Sequence, residues 1–201
     1  MPVTCPQLRH ISNDDQCLEN FAGLGSTAYI FLKDDIDKSK LVATKNVYAW
    51  QEDTFKTGKG FYKVELKEES QSFSGESLGK RKGYKITAQM VIEVLNDAVS
   101  ELCRGLNNLD WGVILSDGEG KYQIMYSPTQ KVTMDSGAVK TETGAASSDD
   151  RTCTLAPVLS NLMYPAYWVT FPEVTETEGE GTAEETTVTI QTTPDDYVLS
   201  A

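Results

Sequence analysis

The residues that could carry out catalysis are few in this chain. His10 is the only histidine among the 201 residues. A serine or cysteine nucleophile normally needs a positioned base, so triad chemistry would depend on that one side chain. The four cysteines stand singly, without the close pairs of zinc ribbons or redox motifs, at Cys5, Cys17, Cys103 and Cys153. We therefore expect free thiols, no catalytic residue and no enzymatic activity.

Metal and phosphate sites are also weakly supported. Cys5, His10 and Cys17 could be three zinc ligands, but their spacing matches no common site and no fourth ligand lies nearby in sequence. The glycine-containing stretches at 58–60 and 79–81 lack the frame of a nucleotide phosphate loop. We expect no metal and no cofactor.

Adjacent acidic residues suggest two further kinds of site. Pairs at 34–35 and 149–150 could serve a glycosidase, but such enzymes need two carboxyls across a cleft, and adjacency does not provide that separation. The segment Asp117–Gly120 has the composition of a calcium loop but lacks its ligand series and distal glutamate. It is predicted to be a hairpin turn.

The charge balance limits the kinds of partner. The formal net charge is -12, from 30 acidic and 18 basic side chains. Such a surface repels a polyanion over a Debye length of about 8 Å, which argues against tight sequence-specific binding of DNA or RNA. The basic run at 80–82 lies close in sequence to three glutamates, which favours a solvated turn or a subunit contact. Acidic walls would suit a conduit through which DNA passes without adhering.

The chain divides into an N-terminal arm at 1–20 and a single β-rich domain at 21–201. The arm has no sustained hydrophobic period and no signal-peptide pattern. Apolar stretches elsewhere are far shorter than the ~20 residues that a membrane helix needs, so we expect a soluble chain without a membrane partner. Strands are predicted at 21–32, within 41–62 and at 62–66, followed by an exposed connection at 67–82.

The clearest pattern is a strand, a helix and a hairpin in succession. Gly83–Leu95 alternates apolar and polar residues, Asn96–Leu106 has helical spacing after a capping asparagine, and Trp111–Tyr126 is predicted to be a hairpin. The helix could cover the apolar face that the strands share. Beyond it, we predict a loop or weak hairpin at 131–148, a possible strand at 152–155, a turn at 157–161 and an aromatic strand at 164–171.

The segment Glu173–Glu185 contains six glutamates and no basic residue, so it cannot bury enough surface to fold by itself. It is predicted to be a mobile acidic loop. Thr186–Thr192 then alternates apolar residues with threonines. The acidic loop is therefore expected to be the tip of a long hairpin that can reach a neighbouring subunit.

This order of elements resembles the tail tube proteins of bacteriophages over roughly Ala22–Phe171. The resemblance implies an antiparallel β-sandwich or half-barrel with one flanking α-helix. It also implies rings, with six copies each, that stack into a tube enclosing a channel for DNA. The expected partners are copies of the chain and other virion tail proteins, with DNA passing without sequence-specific binding. The expected location is the virion tail, assembled in the cytoplasm of a bacterial host.

By analogy with the family's extended loops, the arm and the acidic tip are candidates for contacts between subunits. The candidate residues are Leu8, Ile11, Leu18, Glu176, Glu178, Glu180, Glu184 and Glu185. One alternative is a head-to-tail connector or another tail component, because a fold alone does not fix the position in a particle. Another is a non-catalytic β-sandwich that binds carbohydrate or protein through Trp50, Trp111 and Trp168, although such rings are more often core.

Overall fold

The structure is a computed structural model that describes residues 24–79, 83–117, 120–144, 151–178 and 186–199. These residues form mainly β-structure, with a single α-helix in the described ranges. The elements are β1 (Leu24–Leu32), β2 (Ala43–Thr44), β3 (Val47–Ala49), β4 (Tyr62–Glu65), β5 (Ser72–Ser77), β6 (Tyr84–Ile92), α1 (Asp97–Asn108), β7 (Trp111–Asp117), β8 (Tyr122–Met125), β9 (Val139–Glu142), β10 (Thr152–Leu155), β11 (Val158–Leu162), β12 (Trp168–Thr170), β13 (Glu173–Glu178) and β14 (Thr186–Gln191).

The first sheet has seven strands in the order β2-β3-β12-β8-β7-β1-β4. Its centre is the predicted hairpin of β7 and β8, which lies beside the first long strand, β1. All of its pairs are antiparallel except β3 and β12, which run parallel with Trp168 opposite Val47. The expectation of an antiparallel sheet therefore holds except at this one pair.

The second sheet is built around β6, the long alternating strand that the sequence predicts. On one side β6 pairs with β5 over six residues, and on the other side with β10 and β11. Leu155 lies opposite Met90 and Val158 opposite Thr87. Strands β10 and β11 therefore pair with β6 in the same register, as one strand with an interruption. Strand β9 pairs with β10 on the far side. The edge strands of this sheet are therefore β5 on one side and β9 and β11 on the other.

Both sheets contribute side chains to one hydrophobic core. Phe31, Trp50 and Phe61 from the first-sheet side form a group of rings with centroids 4.8–5.9 Å apart. Met90 and Leu159 from the second sheet are buried in the same cluster. Burial of each such side chain contributes roughly 1.5–3 kcal/mol. The sheets do not close into a barrel, and their arrangement is compatible with the predicted β-sandwich.

Helix α1 joins the two sheets and begins where the sequence predicts. The side chain of Asn96 accepts a hydrogen bond from the Val99 amide at 2.9 Å, which satisfies a free donor of the first turn. At the other end, the Trp111 indole N–H donates to the Leu106 carbonyl at 2.8 Å. Leu106 is buried, so the helix is fixed to the core at its C-terminal end.

Two segments predicted to be irregular contain strands. The connection at 67–82 includes β5, and the turn at 157–161 falls mostly within β11. In β5 only Phe73 is a large apolar residue, and the strand is held by pairing with β6 rather than by burial. Pro157 directly precedes β11, a position where a strand tolerates a missing N–H. The aromatic strand expected at 164–171 is shorter than predicted and covers only Trp168–Thr170.

Candidate assembly surfaces

The β13–β14 hairpin forms a two-stranded sheet of its own, and within the described ranges it is not paired with either main sheet. Its strands pair in register over six positions, from Glu173 opposite Gln191 to Glu178 opposite Thr186. At its base, the amide and hydroxyl of Thr192 donate to the Pro172 carbonyl at 2.9 and 2.7 Å. Within the described ranges the hairpin pairs with no strand except itself. Both of its outer edges therefore have no partner strand there.

The hairpin corrects part of the prediction for the acidic segment. The loop predicted at 173–185 is shorter, because its first six residues form β13. The sequence signal for β13 is Val174 with Thr175 and Thr177, because β-branched residues favour strands. The strand predicted at 186–192 is present as β14, but its partner β13 lies within the segment predicted to be loop. The segment 179–185 lies outside the described residues.

The predicted contact residues fall into two groups. Glu176 lies in β13 opposite Val188, and Glu178 lies opposite Thr186. The structure thus places these two glutamates on the separate hairpin. The other predicted contact residues lie outside the described part of the chain, namely Leu8, Ile11, Leu18, Glu180, Glu184 and Glu185.

Strand β5 is a second place where a strand edge has no partner strand in the described chain, and the sequence did not predict it. It spans six residues at the edge of the second sheet, and all except Phe73 are exposed. Its inner side pairs with β6, where the Glu76 carboxylate also lies 3.3 Å from the Lys85 amine. No other described strand pairs with its outer side. Unpaired edges of this length are sites at which another chain can add a strand.

The chain's own C-terminal segment covers part of another edge. The Phe61 amide donates to the Tyr197 carbonyl at 2.8 Å, and the Leu199 amide donates to the Phe61 carbonyl at 3.1 Å. The Asp195 carboxylate accepts from the Tyr29 hydroxyl at 2.9 Å and lies 2.7 Å from the Lys63 amine. The Lys63 hydrogen bond lowers the pKa of Asp195. These contacts hold the segment next to the start of β4.

The residues considered for catalysis do not form a site in the described chain. Asp35 is buried and lies 3.1 Å from the Lys59 amine, whereas Asp34 is exposed, so the pair does not face a common cleft. His10 and the acidic pair at 149–150 lie outside the described residues. No group of three or more potential metal ligands occurs in the described ranges. Asp117 accepts from the Lys121 amide at 2.7 Å, which fits the predicted hairpin turn.

A buried lysine marks a polar position that the sequence did not predict. The Lys33 amine donates to the Gln130 carbonyl and lies 5.7 Å from the centre of the Tyr126 ring. Burial lowers the pKa of Lys33. The Lys33 amine contacts only a backbone carbonyl and the face of a ring among the contacts described above. We therefore interpret Lys33 as a residue that stabilises the fold.

The three tryptophans differ in their surroundings. Trp50 and Trp111 are fully buried in the core. Trp168 is half-buried and lines a shallow surface groove of about 400 Å³, together with Val47, Gly120, Lys121, Tyr122, Val169 and Thr170. Of the three rings suggested for ligand binding, only Trp168 is accessible.

In comparisons with known proteins, no family model, curated protein or solved structure matched this chain. No helix in the described ranges has both the length and the apolar character needed to span a membrane.

Proposed function

We propose that this protein is a structural subunit that assembles with copies of itself, as a tail tube subunit of a bacteriophage virion. The observation that carries the proposal is the β13–β14 hairpin, which pairs only with itself among the described strands. A two-stranded hairpin is marginally stable at best in water, because it has no further strand or layer to pack against. A neighbouring copy would provide that support.

The open edge of β5 supports the same proposal. Its outer N–H and C=O groups have no strand partner in the described chain, and soluble proteins usually protect such edges with charge, bulges or a covering element. Contacts between a hairpin on one copy and a different surface on the next are heterologous, and they close into a ring when the rotation allows. Stacked rings would give the tube, and the resemblance noted above suggests six copies in each ring.

The charge of the chain suits the transport of DNA through such a tube. With a net charge of -12, the assembled wall would repel phosphates rather than release counterions on binding them. DNA would then pass without sequence-specific contacts. The other partners in this proposal are further proteins of the virion tail, and the chain has no catalytic role.

The test is the assembly state of the purified full chain. We expect sedimentation velocity to show concentration-dependent growth, and negative-stain electron microscopy to show rings or tubes with a central channel. A compact monomer at every concentration, with no rings by microscopy, would overturn the proposal. If glycans bound to that monomer and quenched the fluorescence of Trp168, the protein would instead be a binding module.

A hairpin variant tests the element that carries the proposal. Replacing residues 174–190 with Asn-Gly joins Glu173 to Gln191, which already face each other, through a favoured two-residue turn. We expect the far-UV circular dichroism and melting temperature to stay close to those of the wild type while rings and tubes disappear. Tubes of normal length from this variant would contradict the role of the hairpin.

Charge reversal on the hairpin separates its charge from its backbone. The variant Glu176→Lys/Glu178→Lys keeps the β13 backbone and changes the net charge by four units relative to the wild type. The matched control, Glu52→Lys/Glu68→Lys, makes the same change at two exposed positions outside the hairpin. We expect only the hairpin variant to shorten the tubes. Equal effects of both variants would assign the result to net charge alone.

A further inference from the structure

We propose that Cys103 and Cys153 form an oxidative cross-linking site, at which a peroxide converts two neighbouring thiols into a disulfide that ties α1 to the second sheet. Both cysteines are free, as the sequence predicts, and their sulfur atoms lie 3.5 Å apart although the residues are 50 positions apart in the chain. This inference does not depend on the proposed function.

Both cysteines lie in regular secondary structure, one in a strand and the other in the helix. Cys153 is in β10, where it pairs with Ile92 of β6 on one side and Thr141 of β9 on the other. Cys103 is in α1, whose first turn is capped by Asn96. A disulfide needs a sulfur separation of about 2.05 Å, so the two atoms must approach by roughly 1.5 Å. Closing this gap requires rotation of the two side chains with a small shift of the helix.

The two thiols differ in their access to an oxidant. Cys153 is fully buried, whereas Cys103 is half-buried on the helix. Burial and the neighbouring Cys103 thiol raise the pKa of Cys153 to about 12, so it stays protonated at neutral pH. A small oxidant therefore meets Cys103 first, and Cys153 lies in contact to react with the product.

The chemistry balances with one molecule of hydrogen peroxide. The Cys103 sulfur attacks one peroxide oxygen and the O–O bond breaks. The departing hydroxide takes up the Cys103 proton, so the products are a sulfenic acid and one water. The Cys153 sulfur then attacks the Cys103 sulfur, and the S–O bond breaks. The departing hydroxide takes up the Cys153 proton and leaves as a second water. The two thiols lose two electrons and two protons, and the peroxide is reduced to two waters.

The bond would close a long loop in the chain. It would connect residues 50 positions apart and so restrict the unfolded chain far more than the folded one. The folded chain should therefore become more resistant to heat after oxidation. A thiol reductant should reverse this effect by reducing the disulfide.

The experiment uses the full chain in a Cys5→Ser/Cys17→Ser background, which leaves only the two thiols in question. After treatment with hydrogen peroxide, we expect both thiols to become unreactive toward a thiol reagent. The intact mass should fall by about 2 Da, since each thiol loses one hydrogen. Peptide mapping should find a Cys103–Cys153 link, and the melting temperature should rise by roughly 10 °C until a reductant is added.

Two controls make the result decisive. The Cys103→Ser variant in the same background should show no loss of mass and no rise in melting temperature. If the background variant does not fold, peptide mapping of the oxidised wild-type chain identifies the link directly. Thiols that stay reactive, a mass gain from sulfinic acid, or a link between two molecules would each overturn the proposal.

Discussion

The buried tyrosines are the residues that should make this fold sensitive to alkali. Burial raises the pKa of Tyr126 from its ordinary value of 10.0 to about 12, and burial also raises the pKa of Tyr29 and Tyr48. Well below pH 10 these hydroxyls are neutral in both the folded and the unfolded chain. Above pH 10 the unfolded chain releases protons that the folded chain retains, which favours unfolding.

We therefore predict that the free energy of unfolding is nearly constant from pH 8 to 9.5 and falls between pH 10 and 12, because these pKa values are raised. Urea denaturation followed by far-UV circular dichroism at each pH measures this directly. Absorbance near 295 nm should show several tyrosines ionising together with unfolding. A flat free energy up to pH 12 would contradict the prediction.

Two tyrosine variants provide a matched comparison at neutral pH. The Tyr126 hydroxyl is buried and has no hydrogen-bond partner in the described chain, so Tyr126→Phe should keep or slightly increase stability and weaken the alkaline effect. The Tyr29 hydroxyl donates to Asp195, so Tyr29→Phe should cost about 1 kcal/mol. The reverse order of stabilities in urea denaturation would show that these partners are assigned wrongly.

The surroundings of some polar residues could be predicted from the local sequence, and those of others could not. Asp117 was predicted to begin a turn, because the acid and the following glycines are local turn signals, and it ends β7 and accepts from the Lys121 amide. The burial of Lys33 could not be predicted, because it depends on Gln130 and Tyr126, which are about a hundred residues away. Contacts of this range leave no mark in the local sequence.

At the scale of elements, two glycines in and beside α1 should respond oppositely to alanine. Gly105 lies inside the helix, and an added Cβ would meet only Leu109 Cδ1 at 3.9 Å. We predict that Gly105→Ala stabilises the fold by roughly 0.5–1 kcal/mol, because alanine loses less backbone entropy in a helix.

The matched substitution is Gly112→Ala in β7. Its Cβ would lie 2.5 Å from Phe31 Cζ in the core, so the ring must move. We expect a loss of about 1–3 kcal/mol, as for other overpacked cores. Thermal and urea denaturation of both variants test the pair. A destabilised Gly105→Ala variant would mean that the helix backbone cannot accept an ordinary residue there.

Strands and helices with a clear hydrophobic periodicity were predicted well. Strands that are held mainly by backbone pairing with a neighbouring strand were not. The sequence predicted β6 and α1 because alternation and helical spacing directly reflect which residues face the core. It missed β5 because five of its six residues are exposed, so hydrophobicity carries no signal. Glu176 and Glu178 were predicted in a loop at a hairpin tip, whereas the structure has them in the strand β13.

The edge of β5 is an element whose role in assembly can be tested separately. Lysine on an edge strand opposes the addition of another strand. We predict that Ser72→Lys/Ser77→Lys leaves the melting temperature within a few degrees of the wild type but reduces ring and tube formation several-fold by electron microscopy. The control, Thr57→Lys/Ser100→Lys, adds the same charge at exposed positions and should assemble normally. Normal tubes from the β5 variant would exclude this edge from the interface.

At the scale of the whole molecule, many of the individual strands could be predicted from the sequence, but the way they pair into two sheets could not. The β-rich class and the flanking helix follow from local patterns. The parallel pairing of β3 with β12 joins residues more than 100 positions apart, and the contact of Phe61 with the C-terminal segment is similarly distant. Long-range pairing depends on the full set of strand choices, and no single segment encodes it.

The net charge of -12 gives the last prediction, which concerns assembly of the whole chain. Copies of the same sign repel one another, and the Debye length shrinks from about 30 Å at 0.01 M salt to about 8 Å at 0.15 M. If the interfaces are formed by strand pairing rather than by ion pairs, added salt should remove the repulsion and leave the contacts intact. Sedimentation velocity should then show larger assemblies at 0.15 M than at 0.01 M, with unchanged circular dichroism. Assemblies that form at low salt and dissociate as salt is added would instead point to interfaces built from opposite charges.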